Sequence, residues 1–274
     1  VRFGGDRLRD IKSVSLSLWD NKHYLSWVKC QFEKRFVLAF LKRTSTAIVV
    51  NEALGERIAN HLKTTHRLFT ITQFCEGSCV PRDYRLGNPI KLLTVTNFRF
   101  RKKAEGVISL IEKVNWWARE SDLRAILQVV GAGIHLKDVW AFLATYQVAT
   151  CLKIEFLGFV NEVDEKYKSA DIFLYESFHD ATPNVILESK RFGLPVLVND
   201  CEEFRLLIRH GESGFLYKDI NEFSNFLNQV TSQHELREKI GRNAIREHED
   251  KFSLTAIGIK SEAALREIID VPRD

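Results

Sequence analysis

The chain has 274 residues, enough for about two domains at roughly 100–200 residues each. Its 45% hydrophobic and 28% charged residues exclude a disordered or fibrous protein. A net charge of +4 suits an anionic small ligand or an anionic membrane surface, but it lacks the basic excess of a nucleic-acid binder, so no nucleic acid is expected. Five scattered cysteines (Cys30, Cys75, Cys79, Cys151, Cys201) read as reduced thiols of a cytoplasmic protein. Cys75 and Cys79 lack a second Cys/His pair at metal-ligand spacing, so no metal is expected. No run approaches the about 18 apolar residues of a membrane span, and the opening Val1–Asp6 has no signal-peptide pattern. The sequence contains no methionine and is expected to begin inside a longer protein.

In chain order, Tyr24–Leu41 carries apolar residues at helical spacing with basic residues between them. Thr46–Val50 is a β-branched strand, and Asn51 is placed to cap a helix over Glu52–Leu62. Leu68–Thr72 reads as another strand, and Pro81 with Gly87-Asn88-Pro89 marks a linker. From Lys91 strands and helices alternate. Strands are expected at Lys91–Thr96, Ala125–Val130, Ile154–Leu157, Ile172–Tyr175, Pro195–Val198 and Gly214–Leu216. Helices are expected at Gly106–Ala118, Leu136–Tyr146, Asp164–Ser169, Pro183–Phe192 and Glu202–Arg209, then from Asn221 to about Asp250, with a tail helix around Ser253–Ile269. Alternation of this kind implies a parallel sheet covered on both faces, with ligands at the carboxyl ends of the strands.

The segment Asp171–Glu188 is the richest in chemistry. A buried strand runs into a loop holding His179 and Asp180; Thr182 is a good N-cap and Pro183 a good first helical residue. The amides of Asn184 and Val185 would then lie in a first turn, where they have no helical acceptor and attract phosphate. Glu188, one turn on, is near their face and could accept hydrogen bonds from ribose hydroxyls. A lone pair of acids at this separation would be read as surface residues; their setting between a buried strand and a helix start favours a functional reading. Lys103 sits in a basic run, which is usually a solvated face. Gly131 and Gly133 can simply supply turn geometry. Trp116-Trp117 reads as a helix–sheet contact.

The string resembles the donor-site signature of family 4 glycosyltransferases of the GT-B fold, two acidic residues separated by seven, here Asp180 and Glu188. The first acid of that signature is usually Glu, and Asp180 is shorter. Other segments resemble the family in its own order. These are Leu93–Phe98 with the basic loop Arg99–Lys103 and Gly106, Val129–Gly133, Phe156–Val160, Tyr167–Asp171, Gly193–Val196 and Gly211–Leu216. Arg2–Asp6 and Ala47–Leu54 look like the second half of the family's acceptor domain.

The resemblance implies an α/β fold: a GT-B-type Rossmann-like parallel sheet domain with an incomplete N-terminal α/β domain. Its bounds would be 1–89 for a partial acceptor-side domain, 90–252 for the donor-binding domain, and 253–274 for a helix returning toward the first. The activity implied is a retaining glycosyltransferase moving a hexose from a UDP- or GDP-sugar to a glycan or lipid-linked acceptor. It would need no cofactor or metal and would serve cell-surface polysaccharide or glycolipid synthesis, in the cytoplasm or peripherally at the inner face of the membrane. Lys103 would bind the diphosphate, with Arg99, Arg101 and Lys102 as competing candidates, and Asn97 nearby. Asn184 and Val185, after Pro183, would meet the same phosphates. Gly158 and Phe159 would meet the nucleobase and Glu188 the ribose. Asp180 and His179 would face the sugar. Two other readings are a nucleotide-sugar-binding module without transfer activity and a carboxylate-pair glycoside hydrolase. With half of the acceptor side outside this stretch, the chain alone is expected to bind donor and to transfer poorly.

Overall fold

Apolar runs alternating with amphipathic stretches give the chain two α/β units. The computed structural model describes residues 2–3, 35, 39, 46–50, 52–62, 67–178, 180 and 182–269. One unit comprises residues 1–73 with 257–274, the other residues 74–256. In the first, β1 (Arg2–Phe3), β2 (Thr46–Val49) and β3 (Arg67–Thr70) pair in parallel in that order, with α1 over Glu52–Leu62. Glu52 occupies the first turn of α1, where the helix dipole favours an acid. The helix expected over Tyr24–Leu41 and the cap expected at Asn51 lie outside the described residues, apart from helical positions at Arg35 and Ala39.

The second unit is built on six parallel strands: β4 (Ile90–Val95), β5 (Ala125–Val130), β6 (Leu152–Gly158), β7 (Ile172–Tyr175), β8 (Val196–Asn199) and β9 (Phe215–Tyr217). Their order is β6-β5-β4-β7-β8-β9. The chain starts in the middle at β4, moves outward to β6, then returns to β7 on the other side of β4. Neighbouring strands β4 and β7 are therefore the switch point, and the loops that leave their carboxyl ends diverge to open a crevice. Strand β7 is apolar and wholly buried, and β4 is buried at Ile90, Leu92, Leu93 and Thr94, as strands covered on two faces are.

The helices are α2 (Arg101–Ser121), α3 (Leu136–Leu143), α4 (Asp164–Ser169), α5 (Asn184–Arg191), α6 (Glu202–Arg205), α7 (Ile220–Ser232), α8 (His234–Lys251) and α9 (Leu254–Ile269). Helix α2 buries Val107, Leu110, Ile111, Val114, Trp117 and Ala118, which recur at three- and four-residue spacing, and ends on Asp122 in the left-handed region. The tryptophan pair divides. Trp117 is fully buried and donates its indole N–H to Asn228 at 2.8 Å, whereas Trp116 is half-exposed, because adjacent helical residues point about 100° apart.

Three sequence expectations are corrected here. Helix α2 begins at Arg101, a turn and a half before the expected Gly106. Three successive cations oppose the positive end of the helix dipole, which hides the start; Glu105 answers them with pairs to Lys102 (2.6 Å) and Arg101 (3.5 Å). The single helix expected from Asn221 is two, broken at Gln233, which is extended. Arg237 from α8 donates to the carbonyls of Val230 (2.8 Å) and Thr231 (3.0 Å), satisfying the exposed end of α7. Helix α6 stops at Arg205, and Leu207 and Ile208 turn into the core.

Candidate functional site

The crevice between the ends of β4 and β7 is bounded by the amino ends of α2 and α5. Lys103 lies in the first turn of α2, only 6% exposed. Its ammonium donates to the Tyr175 hydroxyl at 2.6 Å and pairs with the Asp180 carboxylate. The Tyr175 hydroxyl in turn donates to Asp180 at 2.6 Å. Burial pulls the Lys103 ammonium below its usual range, and Asp180 opposes that pull. Burial, then the Asp180 charge, pushes the Tyr175 phenol well above its usual range, so it stays a neutral donor.

What lets α2 come so near β7 is Gly106. A Cβ there would sit 2.3 Å from the Glu176 carbonyl oxygen, so only glycine permits the approach. The Glu176 carboxylate completes the clamp, accepting from Ser109 (2.8 Å), Lys113 (3.0 Å) and Tyr217 (2.9 Å).

Helix α5 starts at Asn184, one residue later than expected. Pro183 is extended (φ −73°, ψ 118°) and occupies the N-cap position itself, so Thr182 precedes the cap. The amides of Asn184 and Val185 remain in the first turn, without helical acceptors. Glu188, half-buried one turn on, accepts from the Tyr167 hydroxyl at 2.7 Å. Burial raises its pKa, with the Tyr167 hydrogen bond and Arg191 opposing.

On the other side of β4, Gly131 (φ +138°) and Gly133 (φ +153°) let the loop after β5 pack on the loop after β4. Added Cβ atoms would meet the carbonyl oxygen of Thr96 and the backbone of Phe98. Gly131 donates to the Gly158 carbonyl at 2.8 Å, so the turns after β4, β5 and β6 form one row. Gly158 is left-handed with open space around it, and Phe159 beside it is 78% exposed. Asn97 and Arg99 are exposed, the Arg99 amide donating to the Asn97 side chain at 3.3 Å.

Of the residues singled out from the sequence, Lys103 and Asp180 are in direct contact. Asn97, Arg99, Gly158 and Phe159 lie on the neighbouring turns. Pro183, Asn184, Val185 and Glu188 lie on the β7–α5 side, and His179 lies outside the described residues. The two carboxylates belong to separate hydrogen-bond networks, Asp180 with Lys103 and Tyr175, Glu188 with Tyr167. Sequence reasoning assigned no role to Tyr175 or Tyr167. The available signal was a phenol closing the otherwise hydroxyl-free strand β7. Among the described residues no cluster of three or more His, Cys, Asp or Glu side chains could hold a metal. Cys75, Cys79, Cys151 and Cys201 are unbridged; Cys30 lies outside the described residues.

The sequence model of the glycosyl transferases group 1 family matches residues 82–247, which takes in the whole crevice. The chain belongs to this family. Curated relatives include the UDP-Gal:alpha-D-GlcNAc-diphosphoundecaprenol alpha-1,3-galactosyltransferase of Escherichia coli, 31% identical over 39% of this chain and 28% of the relative. Another is the lipopolysaccharide core biosynthesis glycosyltransferase LpsE of Rhizobium meliloti, 27% identical over 38% of this chain and 32% of the relative. Solved glycosyltransferase structures share the fold. TarM superposes with a TM-score of 0.71 at 15% identity, over 84% of this chain and 45% of TarM. Anabaena HepE, in complex with UDP-glucose, gives 0.70 at 17% identity, over 85% of this chain and 67% of HepE. The chain thus spans about a third or less of these curated relatives and about half of TarM. The α/β architecture expected from the sequence, of GT-B type, is the one found.

Proposed function

We propose that the crevice is the donor site of a retaining glycosyltransferase moving a hexose from a UDP- or GDP-sugar to a glycan or lipid-linked acceptor. The observation that carries this reading is Lys103, a buried cation in the first turn of α2 at the switch point, held against Asp180 in the loop after β7. A diphosphate there would take the Lys103 ammonium and the Asn184 and Val185 amides, with Arg99 and Asn97 at the rim. Such donors stabilise the charge that develops on the leaving nucleoside diphosphate without requiring a metal. Glu188 would accept from the ribose, Asp180 and His179 would face the sugar hydroxyls, and Gly158 with Phe159 would border the nucleobase. Retention of configuration and a role in surface polysaccharide or glycolipid synthesis rest on the family and on the names of the E. coli and R. meliloti relatives. UDP-glucose in HepE and UDP-Gal in the E. coli enzyme's name support a uridine nucleotide first. A cytoplasmic or peripheral inner-membrane location accompanies the proposal; among the described residues no helix is long and apolar enough to cross a membrane.

The reading is tested by calorimetry with UDP against UMP, and GDP against GMP. The preferred diphosphate should bind at least tenfold tighter than its monophosphate, the outcome of one added charge-assisted contact. Equal affinities would remove the phosphate assignment.

A further inference from the structure

We infer that Tyr175 is a positioning residue of the donor site: its buried hydroxyl joins Lys103 to Asp180 and fixes the direction in which each meets the donor. The inference rests on the donor-site reading above. Three observations carry it. First, the hydroxyl has both partners at once, accepting from Lys103 and donating to Asp180, each at 2.6 Å. Second, the ring that bears it is held by the core and not by the loop. Tyr175 is 2% exposed, closes β7 in register with Val198, stacks on Phe173 at 6.3 Å and meets Phe204 at 5.9 Å. Asp180, by contrast, sits in the connection between β7 and α5. A loop carboxylate is aimed well only when a rigid neighbour holds it, and the strand-borne phenol is that neighbour. Third, Ser177 just past β7 and Thr96 just past β4 also lie against the phenol, so the hydroxyl sits at a polar junction of the two strand ends and not in apolar core.

The arrangement also solves a problem specific to a buried lysine. Asp180 and Tyr175 take up the N–H groups of Lys103. An incoming phosphate oxygen replaces one Asp180 contact. The Tyr175 contact stays, so the ammonium keeps its place and Asp180 turns one oxygen outward toward the sugar while the other remains on the phenol. Asp180 has a shorter stem than glutamate, and the phenol supplies the fixed donor that its reach requires.

Tyr175→Phe in the full chain tests this by calorimetry with UDP and UMP, or GDP and GMP if guanosine proves the better base, beside thermal unfolding. The variant should unfold near the wild-type temperature, lose roughly tenfold in diphosphate affinity, as expected for a hydrogen bond to a charged group, and keep its monophosphate affinity. An unchanged diphosphate-to-monophosphate ratio in the folded variant overturns the inference, and so does an equal loss for both ligands, which would mark a general packing role. If the wild type itself fails to discriminate, the donor-site reading falls and takes this inference with it. Should Tyr175→Phe not fold, the wild type carrying 13C at the hydroxyl-bearing ring carbon of its six tyrosines gives the answer. One buried tyrosine signal should move with diphosphate and stay with monophosphate; no tyrosine signal responding to diphosphate overturns the inference.

Discussion

At the scale of single residues, Glu188 shows how a carboxylate can serve both the core and the crevice. Tyr167 is fully buried, between Phe173 and Phe192, and its hydroxyl is satisfied by Glu188. Replacing Glu188 with alanine therefore removes two things. The Tyr167 hydroxyl is orphaned, at about 1–3 kcal/mol of stability, and the proposed ribose contact is lost, at about 1.5–3 kcal/mol of binding for a charge-assisted bond. The two are separable. The double variant Tyr167→Phe/Glu188→Ala should recover much of the stability in denaturant unfolding but none of the nucleotide affinity in calorimetry. Recovery of affinity along with stability would make Glu188 a structural acid only. The sequence placed Glu188 on the phosphate side of its helix by spacing alone. It gave no sign of Tyr167 as partner, because a residue 21 positions away, on α4, meets Glu188 on α5 only once the chain has folded.

At the scale of elements, the close contact of α2 with the end of β7 governs the site. A glycine in mid-helix ordinarily costs about 1 kcal/mol relative to alanine, so Gly106→Ala should stabilise an isolated helix. Here the added methyl would lie 2.3 Å from the Glu176 carbonyl oxygen, a backbone atom that cannot step aside. Helix α2 must tilt away from β7, and the net change should be a loss of about 1–3 kcal/mol, the range for overpacking a tight core. Because Lys103 rides on the same helix, diphosphate affinity should fall as well. Urea unfolding and calorimetry on one preparation check both, and a stabilised variant with full affinity would show that the contact is dispensable. This contact explains which elements were legible. Strands β5 and β7 and helix α4 match their expected bounds, because their periodicity and flanking turns are local. The start of α2 was concealed by Arg101, Lys102 and Lys103, whose charges disfavour a helix beginning and are offset by Glu105 and by Asp180 across the crevice. The break at Gln233 depends on Arg237 reaching back to α7, which apolar spacing does not encode.

At the scale of the molecule, the 74–256 unit carries, beside its apolar core, a buried set of ionisable groups that no motif announced. Residues 74–89, largely without regular structure, are fastened to this unit. Cys75 donates to Phe252 (3.0 Å), Val80 to Arg191 (3.1 Å), and the Tyr84 carbonyl accepts from Arg237 (3.1 Å). Beneath them Lys190 and Glu247 form a buried pair at 2.6 Å, joined by the Ser213 hydroxyl. Burial alone would raise Glu247, but Lys190, Ser213 and Lys251 hold it down at about 2. His248 is next to this pair in sequence and 1% exposed. Its Nδ1 faces the Cys79 thiol at 3.5 Å. Burial, with the Glu249 carboxylate beside it, pushes that thiol up to about 12, so it stays protonated. Burial, with the charges of Arg191 and Lys190, lowers His248 to about 4. The sign of the pH dependence follows. Between pH 6.5 and 4 the unfolded chain binds a proton at His248 that the folded chain refuses, so stability falls as pH falls through that window, by about 3 kcal/mol at most. Glu247 continues the trend from about 4.5 downward, since its folded pKa is also depressed. Urea unfolding at pH 7 and pH 5 should show a lower midpoint at pH 5 in the wild type. His248→Gln, which removes the titrating ring, should narrow that gap. An equal gap in the variant would assign the acid sensitivity to carboxylates elsewhere. A wild-type midpoint that does not move between the two values would mean that His248 is charged in the folded chain.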